Sequence, residues 1–266
     1  MSIIVEDEAV ILRSTRYSET SRIVVFLSGR YGKLHGIAKG ARGPRSRFGA
    51  GLDVLAESRL VIYLKPDRDL HLVSTAALID GHDALLRHPV RYHFGCAVVE
   101  YADRLVLAPE EGPERPALVR RALRLAESAP VERLPAVFKA YQLRFAVLMG
   151  YQPHITGCMR CGASRGDGLA FAIGEGGLVC RQHRDAAEEI VPLSEGALAV
   201  LRQLVLDPQL ELHGAWSPRL DSLLTRIVVG FLRYHIDAYR GLRSLKSLHE
   251  MGALHAGRRL AGGRRP

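Results

Sequence analysis

The hydrophobic period of this chain changes near Asp83, and that change limits what it can fold into more than any single motif does. Between residues 8 and 79, EAVILRSTRY, SRIVVFLS, KLHGIAK, VLAESRLVIYL and LHLVSTAALI are β-rich runs of roughly strand length. SE, GRYG, the segment after KLHGIAK, and KPDRD separate them as turns or loops. Five short strands with mixed connections predict a small barrel. The five-stranded OB-fold is the first candidate, and a sandwich fragment or an SH3-like barrel shares the pattern.

Beyond Asp83 the apolar residues recur at helical steps. Val90, Phe94, Val98, Tyr101 and Leu105 mark one face, and Leu134, Phe138, Tyr141, Phe145 and Leu148 another, with Gly150 as a stop. SEGALAVLRQLVL, capped by Ser194, and SPRLDSLLTRIVVGFLRYHIDAY, capped by Ser217 with Pro218 in its first turn, predict two more helices. APEEGPERP and the surroundings of Pro130 read as connections. The expected class is therefore α+β and multidomain. An OB-fold barrel takes residues 1–80, an α-helical bundle 81–152 and 187–245, a zinc-ribbon-like insert 153–186, and a basic tail 246–266.

The insert is read from Cys158-x2-Cys161 and Cys180-x2-His183, separated by eighteen residues. Two ligands three positions apart sit on one tight knuckle, and two knuckles complete a tetrahedron around a zinc ion. Gly162 follows the first knuckle, and Gly166, Gly168, Gly174, Gly176 and Gly177 supply turns for a hairpin between the two. With all four positions taken by protein, the expected Zn2+ is structural, and no place remains for an activated water. Neither a zinc-deaminase H-x-E with P-C-x-x-C nor an H-E-x-x-H is present. Cys96, on a predicted helix among apolar residues, reads as a core residue.

The segment IAKGARGPRSRFGA carries Lys39, Arg42, Arg45 and Arg47 with no carboxylate, and from Ser21 to Leu52 there are seven Lys or Arg and no Asp or Glu. It lacks the G-x-x-x-x-G-K-[ST] order of a phosphate-binding loop of nucleotide hydrolases. Two readings remain, a solvated basic face and a nucleic-acid-binding loop on a barrel, with glycines for close approach and Phe48 either as a stacking surface or packed in the core. The net charge of +9 and pI near 9.7 favour an acidic partner. No apolar run reaches the ~18 residues that span a bilayer. Glu6, Asp7 and Glu8 stand where a signal peptide would be basic and then apolar, so the expected location is cytoplasmic, without a membrane partner. The tail from Arg240 onward has seven Lys or Arg against one Glu, and reads as a solvated tail or as a supplementary contact to nucleic acid. No nucleophile elbow or dinucleotide fingerprint occurs. His82, His88, His93 and His235 are expected on helix faces or ends rather than in a catalytic pair.

Taken in order, these elements resemble the RecO family of bacterial DNA repair and recombination mediators. The resemblance rests on Ala9 to Arg13, the Y-x-E-x-[ST] segment from Tyr17 to Ser21, Gly32 to Leu34, the G-A-R-x-x-x-S-R-F loop from Gly40 to Phe48, and LRFAVLMGYQPHITGC leading into CxxCG. It implies an OB-fold domain, a helical bundle and an inserted zinc module. It further implies binding to single- and double-stranded DNA, annealing of complementary strands, and, with RecR, help in loading RecA on DNA coated by single-strand-binding protein, whose acidic C-terminal tail is a further partner. No enzymatic turnover is implied, and the setting would be the cytoplasmic nucleoid. On this resemblance Lys39, Arg42, Arg45, Arg47 and Phe48 are the expected DNA contacts, with Arg13 and Arg22 weaker because strand alternation decides which way each points. The chain departs from the family at His183, where zinc-binding members usually carry a fourth cysteine. The competing readings are a zinc-dependent nuclease or glycosylase and an RNA-associated zinc-ribbon protein.

Overall fold

The computed structural model describes residues 2–65, 68–107, 112–164, 168–184, 187–210, 212–239 and 241–246. Its first part is a five-stranded barrel built from β1 (Ile3–Arg16), β2 (Arg22–Ser28), β3 (Gly32–Ala38), β4 (Glu57–Leu64) and β5 (Leu70–Asp80). The order is β1-β2-β3-β5-β4, and β4 pairs back onto β1 to close it, as in an OB-fold. All pairs are antiparallel except β3 with β5. At that seam Gly36 has no room for a side chain, since a Cβ would lie 2.5 Å from Val73 Cγ2.

The unbroken apolar runs AVIL and VVFL record burial on both strand faces. Ala9, Ile11, Val24 and Phe26 point into the barrel, where Leu60, Ile62 and Val73 meet them. Val10, Leu12, Val25 and Leu27 belong instead to the large core that the barrel shares with the helices. The first strand starts at Ile3, five residues before the predicted Glu8. Its front half pairs with β4, and its acidic run is accommodated cross-strand, where Arg59 reaches Glu6 at 3.6 Å and Glu8 at 3.1 Å.

The helical part comprises α1 (Asp83–Leu86), α2 (Pro89–Leu105), α3 (Glu114–Ser128), a 3-10 turn (Val131–Arg133), α4 (Leu134–Leu148), α5 (Glu195–Leu206) and α6 (Pro218–His235). Ser194 and Ser217 cap α5 and α6 as expected, accepting from the backbone N–H groups of Ala197 and Leu220 at 3.2 Å. Helix α3 corrects the sequence expectation, which has a connection at APEEGPERP and no helix after it before Leu134. Pro116 fits the first turn of a helix, and Leu118, Val119, Ala122, Leu123 and Ala126 are buried at helical steps. At the centre, Tyr101 packs edge-on against Phe138, Tyr141, Phe145 and Tyr239. The buried hydroxyls of Tyr101 and Tyr141 donate to the carbonyls of Gln142 and Val98, each at 3.0 Å.

Between α4 and α5, β6 (Ala170–Ala172) sits in a small sheet with β7 (Gly177–Val179) and β8 (Ile190–Pro192) on either side. This insert has only a small hydrophobic cluster of its own, Ala170, Ala172 and Val179. Phe171, Ile173, Leu178 and Val191 join the helical core, and Phe171 meets Phe231 of α6 edge-on. Cys96 is half-buried on α2 and its thiol is pushed up by burial. Gly166 and, after Lys246, the basic tail lie outside the described residues.

Candidate nucleic-acid interface and metal centre

The chain between β3 and β4 is a succession of turns. Gly43 N donates to Gly40 O (3.1 Å), Ser46 N to Gly43 O (3.0 Å), Gly51 N to Phe48 O (2.9 Å) and Ala56 N to Asp53 O (3.1 Å). Its return end is stitched to β1 by Leu55 N to Ile11 O (3.1 Å) and Ile11 N to Ala56 O (2.9 Å). Phe48, Leu52 and Ala56 enter the barrel core, and Phe48 is only 4% exposed. This corrects the expectation of a stacking surface at Phe48. Its ring fills the barrel and anchors the loop, and reaching a base would empty that site.

Lys39, Arg42, Arg45 and Arg47 are exposed, and among the described residues none of them is in an ion pair. Arg42 also fixes the loop to the turn between β1 and β2, donating its backbone N–H to Thr20 O and Nη1 to Ser18 O, both at 2.9 Å. The two weaker candidates are already neutralised. Arg22 Nη1 lies 2.7 Å from Asp53 Oδ1, and Arg13 Nε lies 3.5 Å from Asp103 Oδ2. Arg13 is also drawn to the helical side of the barrel, where Lys33 Nζ meets the same Asp103 carboxylate at 2.8 Å.

The structure brings the four sequence-picked ligands together. Cys158 Sγ and Cys180 Sγ lie 3.6 and 3.2 Å from His183 Nδ1, Cys161 Sγ lies 3.8 Å from Cys180 Sγ, and all four donor atoms are within 4.8 Å of one another. A tetrahedral zinc with sulfur at ~2.3 Å and nitrogen at ~2.0–2.1 Å needs edges of roughly 3.8 Å (S···S) and 3.6 Å (S···N). Two of these three edges match and the third is a few tenths short, so three thiolates and one Nδ1 fit the metal. The first knuckle closes through Gly162 N to Cys158 O (2.8 Å), with Gly162 in the left-handed region at φ 74° that a side chain would strain. The second closes through His183 N to Cys180 O at 3.0 Å. Burial raises the Cys158 thiol, but backbone N–H groups of Arg160, Cys161 and Cys180 outweigh it and hold the pKa at about 6.

A second titratable cluster, absent from the sequence reading, lies where the barrel meets the helices. The His82 ring is fully buried, with Nε2 3.2 Å from Glu57 Oε1 of β4 and Nδ1 3.0 Å from Glu127 Oε2 of α3. Asp80 Oδ2 is 3.9 Å from Nδ1, and Arg120 Nε is 3.2 Å from Glu57 Oε2. Burial alone would lower the imidazole pKa. Hydrogen bonds to Glu57 and Glu127 and the charge of Asp80 outweigh it and raise the pKa. With a guanidinium and an imidazolium already among its carboxylates, the cluster is an internal ion network rather than a metal site. It does place His82 at a helix end, before α1.

Among the described residues no helix is long and apolar enough to cross a membrane. Two family models cover the chain in succession: recombination protein O N terminal matches residues 1–82, and recombination protein O C terminal matches residues 86–246. The junction between them falls within three residues of His82.

Proposed function

Because the chain belongs to the recombination protein O family, its role lies in DNA repair and recombination, and we propose that it fills that role as a non-enzymatic mediator. It grips single- and double-stranded DNA with Lys39, Arg42, Arg45 and Arg47. The observation that carries this is a stretch from Lys39 to Arg47 with four exposed cations and no carboxylate, held to the barrel by a buried ring and to the neighbouring turn by Arg42. Arg13 and Arg22 contribute less, since each already faces an aspartate.

Annealing asks little chemistry of a protein. Two like-charged strands must be held together long enough for bases to pair, and cations that displace condensed counterions lower their repulsion. With RecR, this chain then helps load RecA on DNA coated by single-strand-binding protein, engaging that protein's acidic C-terminal tail, within the cytoplasmic nucleoid. The division of labour follows the expected units: residues 1–80 bind DNA, 81–152 and 187–245 form the helical scaffold, and 153–186 hold Zn2+ through Cys158, Cys161, Cys180 and His183 Nδ1. The ion would cross-link the two knuckles and supply folding free energy, with protein at all four positions.

Changing Arg42, Arg45 and Arg47 together to Ala should weaken single-strand binding and reduce the slope of log K against log salt by about 2, at ~0.7 for each lost phosphate contact. Fluorescence anisotropy at several salt concentrations measures both. Unchanged affinity and slope would remove the loop from the DNA site.

A further inference from the structure

With Phe48 inside the barrel, the basic loop offers charge but no exposed ring. Among the described residues the barrel has one strongly exposed aromatic side chain, Tyr17, 62% exposed. Single exposed apolar residues are common and mean little alone, so the mounting of this one matters. Tyr17 follows the last residue of β1 and opens the turn to β2, where its N–H donates to Ser21 O (3.1 Å) and Ser21 N donates to Ser18 Oγ (3.2 Å). The same turn receives both Arg42 bonds, to Thr20 O and Ser18 O. A ring without a ring partner or hydroxyl hydrogen bond among the described residues is thus fixed to the loop that carries the free cations. Glu19, the only carboxylate between Arg13 and Asp53, disfavours a phosphate over the turn itself and leaves that place to an uncharged group.

We infer that Tyr17 is the base-stacking residue of this site: an unpaired nucleobase lies on its ring while the flanking phosphates meet Lys39, Arg42, Arg45 and Arg47. This rests on the reading of the basic loop given above. It adds a preference for single strands, because a duplex keeps its base faces stacked and offers none to the ring.

The test compares full-length wild type, Tyr17→Ala, Tyr17→Phe and the triple arginine variant by anisotropy. The probes are a labelled oligothymidine of about 16 nucleotides, an abasic strand of equal length, and a duplex. Tyr17→Ala should lose about 5- to 150-fold in affinity for oligothymidine, Tyr17→Phe should stay within about twofold, and the salt slope should not change. On the abasic strand wild type and Tyr17→Ala should bind alike, with unchanged melting temperature showing that the fold is intact. Wild-type affinity of Tyr17→Ala for oligothymidine, or an equal loss on the abasic strand, overturns the inference. If the triple arginine variant is weakened while Tyr17→Ala is not, only the stacking role falls. If neither variant differs from wild type, the loop reading falls with it.

Discussion

His82→Asn removes the imidazolium at the joint between barrel and helices while letting the backbone keep its turn. His82 has φ 51°, and Asn tolerates that left-handed region better than most residues. In the native protein the ring separates Glu57 from Glu127, at 3.2 and 3.0 Å, and Asp80 lies beside it. Removing one partner from a buried charged group costs about 3–5 kcal/mol. Arg120 still answers Glu57, so the lower end, about 3 kcal/mol, applies. At about 2–4 °C per kcal/mol for a chain of this size, the melting temperature should fall by roughly 6–12 °C.

The pH dependence gives this its sharper test. A folded-state pKa raised above 6.5 means that the stabilisation is complete below that value and fades as pH rises through the folded-state pKa. Urea titrations of both proteins, followed by circular dichroism from about pH 6 to about pH 9, should show a stability gap widest at the acid end and closing upward. A gap that is flat, or that widens with pH, would refute a charged His82. Because Glu57 is the first residue after the basic loop, the same loss should speed amide exchange at Leu55 and Ala56, whose hydrogen bonds tie the loop to β1 and to its last turn.

Two further perturbations separate structure from DNA contact. Phe48→Ala should cost about 3–5 kcal/mol, as other buried Phe truncations do, whereas Phe48→Leu should keep single-strand affinity within about twofold; loss of affinity in Phe48→Leu at an unchanged melting temperature would put the ring on DNA after all. Chelation and His183→Ala should each abolish stoichiometric zinc, measured by a chromogenic chelator, and lower the melting temperature while leaving oligothymidine binding in place; full zinc in His183→Ala would exclude the imidazole as a necessary ligand.

What could be read from the sequence follows how local each signal is. AVIL and VVFL announce strands because both faces of β1 and β2 are buried, and Cys158-x2-Cys161 with Cys180-x2-His183 announces a candidate metal site because each knuckle is complete within four residues. The His82 network had no such signal: its hydrogen-bond partners are 25 and 45 residues away, and only the closure of the barrel against α3 brings them together. Helix α3 carries a local signal, the helical spacing of Leu118, Val119, Ala122, Leu123 and Ala126, although no helix is predicted there from the sequence. The fate of Phe48 was open for a different reason. An aromatic among arginines fits either a ligand or a core, and composition does not choose between them. The fold does, because Phe48, Leu52 and Ala56 together turn one face of a glycine-broken segment into the barrel. Once that face is fixed, Lys39, Arg42, Arg45 and Arg47 are left outside it. The exposure of the cations and the burial of the ring are therefore one structural fact, and it is this fact that directs the stacking inference to the turn that begins at Tyr17.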